Sequence, residues 1–348
     1  MSSSKIPIFI LGATGYIGGS VLTRLLAHPN SQTFDITALV RSAEKAQRLQ
    51  AFGINAVTGS TDEKEKLEAL VLQAHVVLSM ASADNFPAIQ TVLSGMKKRH
   101  DALGDVPILI HTSGTGILHD DARGAYASET IYDDMKPEQI EALPATQLHH
   151  NLDLAIEEAD KAGYLRSYIV FPGTIYGVAS GPFVEAGIQH PFSVQIPGLT
   201  LAALDRGQPG MVGKGLAIWP HISLDDVVDL YILLFDAVLT NPENVGHGRE
   251  GYFFVENGEF RWYDLSKAIG EALVEAGLAK SSEPTSFSDE ELIKYAGSME
   301  MGNGMGTNAR CRANRARALG WKPTKRTEDL FDSIKPGVEA LMKAMQVK

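Results

Sequence analysis

Short apolar runs alternate with amphipathic stretches through the first half of the chain. The runs at 7–11, 34–40, 56–58, 76–80, 108–111 and 167–171 have the length and character of buried strands. Between them, apolar residues recurring at helical spacing predict helices over 43–52, 63–73, 87–99 and 145–163. Such alternation predicts an α/β fold, a doubly wound parallel sheet with helices on both faces. Past Gly177 the texture changes to irregular segments punctuated by Gly-Pro and Pro-Gly pairs at 181–182, 197–198 and 209–210 and by Trp219-Pro220. That shift predicts a smaller, C-terminal mixed α/β lobe. A helical pattern at 225–239 and a strand at 251–255 then return to the sheet, and the Gly/Met/Ser-rich stretch 297–306 reads as a flexible loop. The expected division is therefore 1–177 with 221–257 returning to it, and a substrate-enclosing lobe made of 178–220 and 258–348.

The first strand runs straight into Gly12-Ala13-Thr14-Gly15-Tyr16-Ile17-Gly18-Gly19, a G-x-x-G-x-x-G turn, and then into a helix whose Val21, Leu22, Leu25 and Leu26 share one face. Strand, glycine turn and helix together are the Rossmann arrangement for a dinucleotide diphosphate. Gly12 permits the tight turn, Gly15 the approach of the phosphate, and Gly18 the packing of helix on strand. The second strand ends Val40-Arg41-Ser42. A carboxylate there would hold a ribose 2′-hydroxyl, whereas a guanidinium forks onto a 2′-phosphate, so Arg41, with Ser42 able to donate beside it, favours NADP(H).

Composition narrows the class. With 44% hydrophobic and 21% charged residues, the 348-residue chain has the make-up of an ordinary globular protein. A formal charge of −11 argues against a nucleic-acid partner, and no run of Lys or Arg contradicts this. The one cysteine, Cys311, excludes an internal disulfide. With no long apolar segment ahead of the glycine turn, neither a secretory signal nor a membrane helix is expected, and the reading is a cytoplasmic protein. His111, His119, His221 and His247 lack metal-ligand spacing, so no metal site is expected.

Six segments, in order, resemble the extended and atypical short-chain dehydrogenase/reductases, including the branch close to nitrogen-metabolite-repression regulators. These are the glycine turn, Val40-Arg41, Thr112-Ser113-Gly114, Pro172-Gly173-Thr174-Ile175-Tyr176-Gly177, His221-Ile222-Ser223-Leu224-Asp225-Asp226-Val227, and Leu319-Gly320-Trp321-Lys322-Pro323. The resemblance implies cofactor contacts at Gly12, Thr14, Gly15, Tyr16, Ile17 and Gly18. It extends them to Arg41, Ser42, Asp62 and Ala81, and after the sixth strand to Pro172 and Thr174. Asp62 enters because Gly59-Ser60-Thr61-Asp62 stands where the family often has Gly-Asp. It also implies that helices such as 87–99 and 145–163 pair two copies into a homodimer.

The family's chemistry uses a Tyr and, four residues on, a Lys, neighbours on one helix face. A literal match exists at Tyr132 and Lys136. Pro137-Glu138-Gln139 reads as a helix's first turn, however, so Tyr132 precedes a helix instead of riding on one, and Asp133 and Asp134 between the pair would raise the Tyr pKa. On the 145–163 helix the family's steps fall on His149, Asp153 and Glu157, so the standard Tyr and Lys are missing there. His149 oriented by Asp153 is one candidate proton donor, and a surface-stabilising helix pair is the other reading of the two. The catalytic candidates are thus Ser113 to orient a carbonyl, Tyr132 or His149 to protonate it, and Tyr176 facing nicotinamide or substrate. His221 reads as a loop holder. The expected activity is NADPH-dependent reduction of a small-molecule aldehyde or ketone. The alternatives are a non-catalytic NADP(H)-binding regulator or redox sensor and, third, an epimerase or dehydratase.

Overall fold

Strands with no polar face can exist only where both faces are covered, and the chain provides that cover. In the computed structural model, which describes residues 5–346, β1 (Ile6–Leu11), β2 (Phe34–Val40), β3 (Asn55–Thr58), β4 (Val76–Ser79), β5 (Ile108–Thr112), β6 (Arg166–Pro172) and β7 (Tyr252–Val255) form one wholly parallel sheet. Residues 1–4, part of the N-terminal segment expected to carry no leader, lie outside the described residues. The strand order is β3-β2-β1-β4-β5-β6-β7. It reverses direction between β1 and β4, and at such a switch the connections diverge and leave a crevice beyond the strand ends. Register aligns the rim of that crevice: Leu11 sits level with Leu39 and Ser79, and Ser79 with His111.

The main helices connecting or following these strands are α1 (Tyr16–Leu26), α2 (Ala43–Gln50), α3 (Lys64–Leu72), α4 (Phe86–Leu103), α5 (His150–Lys161) and α6 (Leu224–Thr240). α1 packs on α6, and α4 packs on both α3 and α5. The expected helix at 145–163 begins late. Pro144 to His149 forms turns, and His149 itself stands outside the helix in a left-handed conformation, φ 67°. The 297–306 stretch, expected as a loop, contains the short helix Met299–Gly304, because Ser298 caps it by accepting from the amide of Met301.

Thr174–Tyr176, just before Gly177, forms a three-stranded sheet with Ile218–Ser223 and Glu259–Arg261 from the lobe that follows, which also contains the long helix Thr327–Gln346. Buried carboxylates attach it by accepting backbone amides. Asp226, at the start of α6, takes the amides of Thr324 and Lys325 at 2.9 and 3.1 Å, while its own carbonyl accepts from the Trp321 indole at 2.9 Å. Asp134 takes the amides of Phe254 and Arg315 at 3.0 and 2.8 Å, and burial pushes its carboxyl up to about 7.

The contact of α1 with the turn before it leaves no room for a side chain. A Cβ added at Gly18 would lie 2.2 Å from the carbonyl oxygen of Gly12. Gly18→Ala is therefore expected to lower unfolding stability by about 1–3 kcal/mol, the range for overpacking a close contact, as read by urea denaturation.

Candidate active site

The crevice at the switch point is a cleft of about 550 Å³. Its floor is the glycine turn: Gly12 has φ +88°, and a Cβ there would meet the Met80 carbonyl at 2.5 Å. Gly15 caps α1 without a side chain, which leaves the first-turn amides and the positive end of the helix dipole facing the cleft. This glycine-lined turn at the N-terminus of α1 fits a dinucleotide diphosphate.

Thr14, Arg41, Asp62 and Ala81 line the cleft, together with Gly12 and Gly15. The Ser60 hydroxyl donates to Asp62 at 3.0 Å. Lys45, which sequence reasoning passed over, also lines it; one turn on, Arg48 is taken by Glu44 and the carbonyl of Ala186. Ser42 does not line it. Its oxygen caps α2 by accepting from the amide of Lys45 at 3.3 Å, so it sets where α2 begins. Tyr16, Ile17 and Gly18 lie behind the cradle, with the Tyr16 hydroxyl donating to the carbonyl of Gly177 at 2.6 Å.

Pro172 and Thr174 are turned to packing. The Thr115 hydroxyl donates to the Pro172 carbonyl at 3.2 Å, and Thr174 is buried with its hydroxyl on Gln195 at 2.8 Å. His190 reaches the cleft from the lobe, its amide donating to the Thr14 carbonyl at 3.0 Å.

The polar groups beside the cleft sit at the ends of β4 and β5. The buried Ser113 hydroxyl lies at hydrogen-bond distance, 2.8 Å, from Asp153 Oδ2. Asp153 is fully buried, and burial raises its carboxyl well above the usual range. His149 therefore does not pair with Asp153. Lying ahead of the helix, it places Nδ1 2.5 Å from Asp84 Oδ1, in the loop after β4, and this hydrogen bond holds the Asp84 carboxyl below its ordinary value. A left-handed histidine is a strained backbone, and the Asp84 contact is what anchors it. Its Nε2 faces the backbone beside Ser113: a Cβ at Gly114 or Gly116 would lie 3.5 or 3.4 Å from it. His111, fully buried, sits 3.1 Å from the Ser79 hydroxyl, and burial pushes its imidazole down to about 3, so it is neutral.

The two tyrosines go elsewhere. Tyr132 lies in a strand paired with Cys311–Arg312, and its raised pKa comes from burial and Asp120, not from Asp133 and Asp134 as the sequence suggested. Tyr176 is buried against the His221 ring at 5.6 Å, its hydroxyl donating to the carbonyl of Arg326 at 3.3 Å. Burial lowers His221 to about 4, and Nε2 meets the Thr327 hydroxyl at 2.9 Å, so His221 holds a loop.

Residues 4–97 match the NmrA-like family. Across 335 residues, 91% of this chain and 92% of the other, the sequence is 31% identical to Oxidase ucsJ of Acremonium sp. The chain belongs to the atypical, extended short-chain dehydrogenase/reductases. Another relative, 27% identical over 124 residues (32% of this chain and 34% of the other), is a 4-hydroxy-2-methyl-3-oxo-4-farnesyl-3,4-dihydroquinoline-1-oxide ketoreductase of Stigmatella aurantiaca.

Solved structures share this dehydrogenase/reductase fold at 15% identity. A UDP-glucose 4-epimerase of Thermotoga maritima with UDP-glucose has a TM-score of 0.65 over 98% of this chain and 100% of that one. A dTDP-glucose 4,6-dehydratase of Bacillus anthracis in complex with NAD has 0.64 over 96% and 97%. Against the family's helix pair, this dehydrogenase/reductase has two separate acid-backed groups, Ser113 with Asp153 and His149 with Asp84.

Sequence reasoning missed Asp84, Lys45 and His190. Asp84 had a signal, a carboxylate just past the end of a central strand; His190 had none, since only the fold carries it to Thr14. Because the His149 imidazole holds the Asp84 carboxyl down, His149→Ala should raise the Asp84 titration toward an ordinary aspartate value, measured by carboxyl-carbon NMR.

Proposed function

We propose that this protein is an NADP(H)-dependent reductase of a ketone or aldehyde in a small organic molecule. The observation that carries the reading is the pair of acid-backed groups beside the dinucleotide cleft, at the ends of adjacent strands. Reduction of a carbonyl asks for a hydrogen-bond donor on the oxygen as it gains charge and a proton to finish the alcohol. A bound dinucleotide supplies the hydride. Ser113 orients the carbonyl oxygen through its hydroxyl, and His149, with Nδ1 held by Asp84, gives the proton from Nε2. Ketone reduction and alcohol oxidation are one step read from its two sides, so relatives named as an oxidase and a ketoreductase are compatible with one such site.

Preference for NADP(H) rests on charge. Val40 ends β2 where a ribose-binding carboxylate would stand, and Arg41 and Lys45 line the cleft beside it. A second reading, an NADP(H)-binding regulator without chemistry, is favoured by one observation: no Tyr–Lys pair rides on α5, where His150 to Lys161 contains no tyrosine.

Arg41→Ala should weaken NADPH binding by roughly 10- to 100-fold, the worth of charge-assisted hydrogen bonds to a phosphate, while leaving NADH binding nearly unchanged. Fluorescence titration checks this. In an assay of NADPH consumption over a panel of aldehydes and ketones, His149→Ala should lower kcat by roughly 10²–10⁴-fold. Tight NADPH binding with no turnover on any carbonyl would instead establish the regulator.

A further inference from the structure

Asp153 stands on α5 at the step where the resembled family carries lysine, and its surroundings are those of an acid that has kept its proton. It has no exposure to solvent. Oδ2 lies 2.8 Å from the Ser113 hydroxyl, and Oδ1 is buried without a partner. The groups facing it are acidic or neutral: Asp84 from the loop after β4, Ser113 from β5, and from β7 Tyr252, whose hydroxyl bonds Glu157 one turn further along α5. His149, one turn earlier, is turned to Asp84. Among the described residues, no cation is one of the groups acting on Asp153. A carboxylate in this position would be a buried, unpaired charge with one bare oxygen, an arrangement that folded proteins avoid by neutralising the group.

The position of that proton decides what Ser113 can do. A hydroxyl has one hydrogen. If Asp153 is ionised, that hydrogen is held by the carboxylate and none is left for a substrate. We propose that Asp153 is a positioning residue, a neutral carboxylic acid whose O–H donates to Ser113 and so leaves the Ser113 hydrogen free for the substrate oxygen. The role in turnover rests on the reductase reading; the protonation state does not. As pH rises and Asp153 ionises, the carboxylate recaptures the Ser113 hydrogen and the rate falls. Asparagine, whose amide donates without titrating, removes that dependence.

Two measurements test this. Infrared difference spectra of the cofactor-free protein at neutral pH, wild type minus Asp153→Asn, should contain a protonated-carboxyl C=O band, and Ser113→Ala should shift it because the acid loses its acceptor. Absence of the band, or a band indifferent to Ser113→Ala, overturns the proposal whether or not any substrate is turned over. In kinetics, Asp153→Asn, whose amide still donates to Ser113, should retain kcat within about tenfold, while Asp153→Leu, which cannot donate, loses about 10²-fold. An Asp153→Asn enzyme that is folded by circular dichroism yet loses as much kcat as Asp153→Leu also overturns it. Failure of the wild type to reduce any carbonyl sinks the reductase reading alone.

Discussion

The backbone crossing at Gly12 and Gly18 sets the geometry on which the remainder of the site depends. The carbonyl of Met80 presses on Gly12 from β4, and the carbonyl of Gly12 presses in turn on Gly18 in α1, both closer than a side chain would allow. This brings the N-terminus of α1 down between β1 and β4, at the point where the sheet reverses direction. The free amides of α1, the end of β2 with Arg41 and the loop after β4 then border one cleft. A helix set farther from the sheet would leave the amides pointing into solvent and the two strand ends unconnected.

The chemistry next to that cleft is built on burial and acids. Three carboxylates with different surroundings take three roles. Asp84, partly exposed and bonded to an imidazole, is stabilised as the anion; Asp153, sealed in and facing no cation, is driven toward the neutral acid; Asp226, accepting two backbone amides, joins α6 to the C-terminal segment. The family's Tyr–Lys arrangement concentrates proton chemistry on one helix face. Here no such pair rides on α5, and the two hydrogen-bonded pairs, Ser113 with Asp153 and His149 with Asp84, are kept apart by the late start of α5, because His149 falls outside the helix that carries Asp153.

Much of this architecture was legible in the sequence. Strand positions came from apolar runs, since a strand buried on both faces can be made of little else. The glycine turn and Arg41 announced their place at strand ends by local pattern alone. Two late motifs, around Asp226 and Trp321, were each visible, but that the first holds the second through the Asp226 carboxylate and the Trp321 indole emerged only on folding. Tyr132 shows the opposite failure: a perfect spacing to Lys136 that lies in a strand against Cys311–Arg312 and ahead of the short helix Pro137–Glu141, so the pair shares no helix face.

The sequence alone therefore determined the features that depend on neighbours along the chain: the strands, the α/β layering, the dinucleotide cradle and the basic end of β2. Tertiary structure decided the features that depend on neighbours in space. It gave Ser113 to Asp153 and His149 to Asp84, drew His190 onto the glycine turn, and turned Tyr176 and Thr174 inward to packing. The physical reason is that a hydrogen bond within a turn or helix is set by spacing of a few residues. The partners of Ser113 and His149 lie far off in sequence, and only the packing of strands and loops brings them within 3 Å.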